Sequence, residues 1–570
     1  MKNSRLKTLR LNFSDMNLNL ADSPYMMGSD QAVLLRNVDF DENRGAIVGR
    51  HGTTTVNPAG ILKHGGNPST PNDYEWYQCF DLFRCLEPVS GNKYLLTSYD
   101  DLTNFKLGYL RTNHTAQTYF TTITAAAGAV FNLTRNHRIH FVEATCPTNG
   151  PLVMGFNGYD QPFWISLATG IAHPFAFGGS GLDYRLLFVL PEPWMGHIWA
   201  TGRTGEETTW QWSDVVDYTK FVGEGTTSGF RQAPQNERTN PARAGAVFQN
   251  RLIAFNLNSI GEFYPTGDLA SPFRYRELAR NVGTIHPKSI YKTDRGIVFL
   301  DKRPPYLKMF NGSTLETLDP SKSLEKGIQN WLDASTSELL LTRIGAIDSN
   351  LLLSFKSQST YAPTGTDGQR WTAAINMNRR NRMGQSYYPM NMWSIRMNDL
   401  CSSDEGTDFG QCWYTDPDPV ANGGKNYYFV RRILGWYDVR AGGVGYGDKR
   451  GMTLGGQAVT PTNITYLLRT GFLNFGTDIW KELMTFKLVG EWEGTITSGA
   501  KFYVRYRCEK WTVWKYLEIN AVSLYAQEIP FDLNDQGQAV QFEFSYTDKA
   551  SRPILHQIEL QVRPKPGVLT

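Results

Sequence analysis

The residues able to do chemistry are scattered along this chain, and their spacing decides what they could do. Asp39-x-Asp41-x-Asn43 opens like a calcium loop, in which alternate oxygens converge on one hard cation. The sixth position is Arg44 where such a loop needs glycine, and the twelfth is Arg50 where it needs glutamate, so the stretch reads as a polar hairpin turn. His137 and His140 stand three apart, and on a strand an odd spacing sends two rings to opposite faces, beyond the reach of one ion. Gly443-Val-Gly445-Tyr-Gly447 lacks the spacing of a phosphate cradle and reads as a turn; Asp416-Pro-Asp418-Pro reads as a stiff surface loop. No G-x-S-x-G elbow, H-E-x-x-H helix or Walker A sequence occurs. Glycoside hydrolysis needs only two facing carboxylates, and 54 Asp and Glu residues leave such a pair open without singling one out. The expectation is a chain with no enzymatic activity, no catalytic residue, no metal ligand and no cofactor.

Composition narrows the partners. The net charge of +3 over 570 residues excludes a strongly basic nucleic-acid binder and an acidic tail. Aromatic residues make up 13% of the chain, and clusters such as Trp511-Thr-Val-Trp514-Lys-Tyr516 and Tyr387-Tyr388…Trp393 read as core or subunit contacts before ligand-stacking platforms. Arg379-Arg380-Asn-Arg382, the densest basic run, reads as a solvated turn. Cys79, Cys85, Cys146, Cys401, Cys412 and Cys508 follow neither zinc nor thioredoxin spacing and read as reduced thiols of a chain made in a cytosol. The N-terminus has no apolar core of a secretory signal, and no apolar run approaches a membrane span, so no stable membrane insertion is expected.

The elements that must position these residues are strands. Gln538–Tyr546 alternates Val540, Phe542 and Phe544 with Gln541, Glu543 and Ser545; Leu555–Arg563 does the same, and Lys481–Val489 and Gly499–Arg507 are similar in length. Period two with one polar face predicts antiparallel sheet with one face packed and one wet. The middle of the chain repeats a strand, a polar turn and a strand ending at a glycine turn, as in Gly296–Phe310 followed by Asn311-Gly312. The fold class is therefore all-β: a β-propeller over 61–460, interrupted or not by an inserted β domain, with an N-terminal strand and hairpin segment over 1–60 that contributes to a platform. A C-terminal β-sandwich platform domain covers 461–570. Helices are expected only as connectors, after Asp319-Pro320 and over Ser213 to Phe221.

Two stretches resemble one family in their order along the chain. The first is Asn17-Leu-Asn19-Leu, then Asn37-Val38-Asp39-Phe40-Asp41, Gly45-Ala46-Ile47 and Arg50-His51-Gly52-Thr53. The second is Asn250-Arg251-Leu252-Ile-Ala-Phe255 followed by Ile260-Gly-Glu-Phe263-Tyr-Pro-Thr-Gly267-Asp268, where Phe263-Tyr264-Pro265 departs from the usual aromatic-Ser pattern. With the C-terminal sandwich, these resemble bacteriophage tail nozzle proteins, also called tail tubular protein B or packaged-DNA stabilisation proteins.

The resemblance implies a structural virion protein of the phage tail, synthesised in the host cytoplasm. It implies a ring, commonly of six copies, below a portal–adaptor complex and beside tail fibres or a needle. Double-stranded DNA would be retained and then conducted through the lumen without sequence specificity, which suits a nearly neutral chain. Candidate gate loops, chosen for length and Gly/Pro/Asp content, are Asn398–Lys425 and Ala441–Pro461. The competing readings are a glycan-binding or glycan-cleaving propeller, and another tail hub or fibre-adaptor component.

Overall fold

The computed structural model describes the chain between residues 6 and 565, outside 63–73, 176–185, 319–341, 357–369, 378–387, 434–463 and shorter breaks. The strands form a β-propeller with a two-sheet platform. Six sheets belong wholly to the ring among the described residues, and a seventh four-stranded unit is one end of a ten-stranded sheet that continues into the platform.

The blades follow one another in sequence. The first is built on Gln78–Glu87, Asn92–Asp100, Phe105–Arg111 and Tyr119–Thr122, and the second on His140–Cys146, Gly150–Phe156, Phe163–Ser166 and Ile171–Pro174. The third holds Phe188–Val189, Trp199–Arg203, Glu206–Trp212 and Gly229–Gln232. The fourth holds Ala242–Phe248, Arg251–Asn256, Ser259–Pro265 and Phe273–Arg280; the fifth runs through Ile290–Thr293, Gly296–Leu300, Leu307–Phe310 and Leu315–Thr317. Arg343–Ile347, Asn350–Lys356, Arg370–Asn376 and Met390–Trp393 form the sixth. The last combines Leu400–Ser403, Gln411–Thr415 and Val430–Ile433 with Thr53–Thr55, which pairs antiparallel with Val430–Ile433. An N-terminal strand thus completes the final blade, and closure removes the exposed edges an open sheet would leave.

Local sequence explains the hairpins. Gln249 and Asn250 both take positive φ, 50° and 59°, closing the tight turn whose twist matches the flanking strands. Asn311 Oδ1 accepts from the Ser313 and Thr314 amides while Gly312 takes φ 97°, so the Asn-Gly hairpin cue falls on a real turn. The expected helical turn over Ser213 to Phe221 is instead a loop organised by Asp214, which accepts from the Val216 amide and from the amide and hydroxyl of Thr227. Burial raises the Asp214 pKa, but these donors outweigh it and hold the carboxyl at about 2. The expected helix after Asp319-Pro320 lies outside the described residues.

The platform packs two sheets face to face. One orders Val38–Asp41, Ala46–Gly49, Ser551–Pro564, Lys481–Gly494 and Tyr525–Pro530, with Lys7–Asn12 also on Ser551–Pro564. The other runs from the sixth blade through Gln31–Arg36, Ile464–Thr470, Val540–Asp548 and Phe502–Cys508 to Lys515–Glu518. Phe486, Phe542, Phe544, Ile558 and Leu560 are buried between them, each contributing about 2 kcal/mol by apolar burial. Among the described residues no helix is long and apolar enough to cross a membrane.

Candidate functional site

A dense set of ionisable groups lies where strands of several blades converge. Asp81, from the first blade and without solvent exposure, accepts from Arg138 Nε at 2.7 Å and Lys288 Nζ at 3.1 Å. Lys288 also pairs with Asp399, at the entry to the last blade, and Asp399 Oδ2 accepts from the Leu82 amide at 3.0 Å. Arg343 of the sixth blade lies 3.6 Å from Asp399 Oδ1, and the rings of His140 and His286 stand 6.0 Å apart beside the cluster. Pro287–Ser289 form a 3-10 turn whose cap is His286, and this turn carries Lys288.

Electrostatics decide what the cluster can do. Burial pushes the Asp81 carboxyl up, but Lys288, Arg138, the Ser98 hydroxyl and the Ile139 amide together hold it well below the usual carboxylate range. Burial, followed by the nearby cations, pushes His140 and His286 well below the ordinary histidine value. Both Asp399 oxygens lie close to cations. With Asp81 held as a carboxylate, the cluster's central acid does not supply the general acid that glycoside hydrolysis requires. It does bind the first, second, fifth, sixth and last blades across the ring's axis. Among the described residues no group of three or more His, Cys, Asp or Glu side chains is placed to hold a metal ion.

A second constellation gathers the N-terminal residues singled out in the sequence. Asn37 sits at φ 55° between Gln31–Arg36 in one platform sheet and Val38–Asp41 in the other. Its amide donates to Met392 O at 2.8 Å, its Nδ2 to Thr465 O at 2.8 Å, and its Oδ1 accepts from Arg50 Nε at 3.0 Å. Val38 O accepts from Trp393 Nε1 at 3.1 Å, and Asn350 Nδ2 reaches both Asp39 oxygens at 2.9 and 3.1 Å. Burial pushes the Asp39 carboxyl up to about 6. Gly45, at φ 58°, turns Val38–Asp41 into Ala46–Gly49. Thr53 begins the strand that closes the last blade, and Gly52 lies outside the described residues. Asn37, Val38, Asp39 and Arg50 thus join the sixth blade to both platform sheets; of the calcium-like pair, Asp39 serves this seam while Asp41 Oδ1 accepts from the Arg44 amide at 3.2 Å in the hairpin turn.

Asn250, Arg251 and Leu252 lie apart from it. Arg251 Nη1 meets the buried Glu262 at 2.9 Å and its Nη2 reaches Gly312 O at 3.0 Å, linking the fourth blade to the turn of the fifth. Leu252 is fully buried in the core those blades share. His137 stacks on Tyr159 at 4.1 Å while His140 faces the axis, so the two rings serve different places. Asp416 is buried against Arg431 instead of lying on a surface loop. The first gate candidate, Asn398–Lys425, contains Leu400–Ser403 and Gln411–Thr415, two strands of the last blade. Ala441–Pro461, the 443–447 glycine run and the Arg379–Arg382 run lie outside the described residues. Asp81, Lys288 and Asp399 carried no local signal, since each stands in an ordinary strand-and-turn sequence.

No protein-family model matches the chain, and no curated protein matches it. Among solved structures, one titled glycoside hydrolase is similar at 8% identity and TM-score 0.24, covering 87% of this chain and 99% of that one. The GH74 xyloglucanase from Xanthomonas campestris is similar at 12% identity and TM-score 0.35, covering 73% of this chain and 60% of that one. The Saccharomyces cerevisiae core factor is similar at 11% identity and TM-score 0.33, covering 67% and 61%. The propeller assignment rests on the chain's own sheets. Against the expectation of a chain without enzymatic activity, the similar structures include glycoside hydrolases.

Proposed function

We propose that the chain is a structural component of a phage tail, of the nozzle type, whose copies form a ring around a DNA passage. The observation that supports this reading is the seam at Asn37, Asp39 and Arg50, where the residues that carry the family resemblance weld propeller to platform. A motif used for rigidity fits a part that must hold against packaged DNA. The Asp81–Lys288–Asp399 network ties blades to one another near the propeller axis, and in this reading the passage lies between copies of the chain. The test is quantitative mass spectrometry of purified particles from the source, scaled to the portal. About six copies per portal ring is the expected result; absence from the particle overturns the reading.

One observation favours a second, glycan-directed reading. A cavity of about 120 Å³ between the first two blades is walled by Tyr94 and Tyr109 over apolar Leu96 and Ile165, with Ser166 and Thr169 beside them. Aromatic faces next to hydroxyls suit a sugar ring. Binding of the chain to immobilised glycans, lost in Tyr109→Ala, is the expected outcome of that reading, and release of reducing ends would extend it to cleavage. No binding across a panel of host-surface polysaccharides sets it aside.

A further inference from the structure

The outer face of the platform carries an unusual cross-strand row. Arg469, Glu543, Arg505 and Tyr516 stand opposite one another on four adjacent strands, all pointing away from the sandwich core. Glu543 accepts from Arg469 Nε at 2.6 Å and from Arg505 Nε at 2.5 Å. Trp514 folds back over this row, with the guanidiniums of Arg469, Arg505 and Arg507 at 5.6, 4.9 and 4.8 Å from its ring. Arg469 and Arg505 share the one carboxylate, and Arg507 is held by Gln541 through Nε, with its guanidinium over the Phe472 and Trp514 rings.

The rim is apolar and exposed. Tyr25 stacks on Phe472 at 4.3 Å, and Tyr25, Met26, Tyr503, Val513 and Tyr516 all present large exposed side chains. Trp, Tyr, Met and Arg around a rigid centre are the composition of protein-interface hot spots. Valine and methionine contribute nothing to phosphate recognition, and the chain has no polyanion-attracting field, so a protein occupant is favoured over nucleic acid.

The matching chemistry stands elsewhere on the same chain. Leu269 is 99% exposed at the tip of the hairpin joining Ser259–Pro265 to Phe273–Arg280, beside the carboxylate of Asp268. The tip is ordered: Thr266 N donates to Pro272 O at 2.9 Å and Ala270 N to Asp268 Oδ1 at 2.9 Å. We infer that the Trp514–Arg507 face docks the Asp268–Leu269 tip of a second copy, with the carboxylate on Arg507 and the leucine against the apolar rim. Two different patches make the contact heterologous, the kind that closes into a ring by rotation. The inference rests on the ring reading above and names its surfaces.

The test uses the full chain, with mass measured by light scattering over a concentration series up to roughly 0.1 mM. Wild type should associate with rising concentration. Asp268→Arg should weaken association about tenfold or more, with Asp268→Asn, which keeps an oxygen for the Ala270 amide while removing the charge, expected to weaken it in the same direction. Arg507→Glu should do the same, with its fold checked by thermal melting, and the charge-swapped double variant should regain most of the loss. A monomeric wild type, an Asp268→Arg chain that associates like wild type, or a double variant no better than the singles would each overturn the inference. Particle copy number is read separately: about six copies without association through this face leaves the ring standing and removes only these surfaces.

Discussion

Lys288 Nζ lies 3.1 Å from Asp81 Oδ1, joining residues 207 positions apart at the propeller axis. Asp81 has no solvent exposure and answers two cations, so its removal leaves buried charge uncompensated. Asp81→Asn is expected to destabilise the chain by about 3 kcal/mol or more, read as a fall in the chemical unfolding midpoint. Lys292 and Glu192, both nearly half exposed, form the contrast: Lys292→Ala should cost less than about 1 kcal/mol. Equal effects would mean that the axial network does not hold the ring.

The same carboxyl sets an acid limit. Its folded pKa lies below the unfolded value of 3.8, so the stabilisation is present above about pH 4 and is lost as pH falls through the folded value. Asp81→Asn should therefore show a weaker loss of stability between about pH 4 and 2 than wild type. Unfolding curves of both chains across that range check it.

Asp39 works with the opposite sign. Its folded pKa of about 6 exceeds the unfolded 3.8, so the folded chain binds the extra proton and stability falls as pH rises from 3.8 through 6. The difference is on the order of 2–3 kcal/mol. Asp39→Asn keeps an oxygen for Asn350 and the Phe40 amide while removing the titration. The stability difference between variant and wild type should grow in the variant's favour from pH 4 to pH 7; a difference flat with pH would place the Asp39 carboxyl in water.

Asn37 combines a left-handed backbone with three hydrogen bonds at the seam. Asn37→Gly and Asn37→Ala lose the same side-chain bonds, but only alanine adds backbone strain at φ 55°. Both should destabilise, with alanine worse by about 1 kcal/mol. Parallel thermal melts of the two variants measure that gap.

The thiols give a simple check of packing. All six cysteines are free, and burial pushes Cys79 and Cys508 up to about 12 and Cys85 and Cys401 well above the usual thiol value. These four should resist a disulfide reagent at pH 8 in the native chain and react promptly in denaturant. Rapid labelling of Cys79 or Cys85 in native protein would mean that the first blade opens.

Strand periodicity was readable to the residue in the platform. Val540, Phe542 and Phe544 face the core as their alternation required. The opposite face is not simply wet: Gln541 and Glu543 are buried too, beneath Arg469, Arg505, Arg507 and Trp514. Alternation tells which residues share a face; it cannot tell what lies over that face, because the cover comes from a turn beyond the strand. The Asn37 to Arg50 stretch was legible as a motif, and its job as a seam became visible only once Thr465, Met392 and Asn350 were brought beside it.

The amino-acid order alone determined that this is a β protein, where its glycine and asparagine turns fall, and which side chains point inward, because these follow from local sterics and period-two burial. Tertiary structure decided how the ring closes and which charges meet between its blades. Thr53–Thr55 completes a blade begun more than three hundred residues later, and Asp81, Lys288 and Asp399 meet only when the blades are in place. Charges so distant in sequence carry no local mark of one another; only the closed ring brings them within hydrogen-bond reach and removes the water that would screen them.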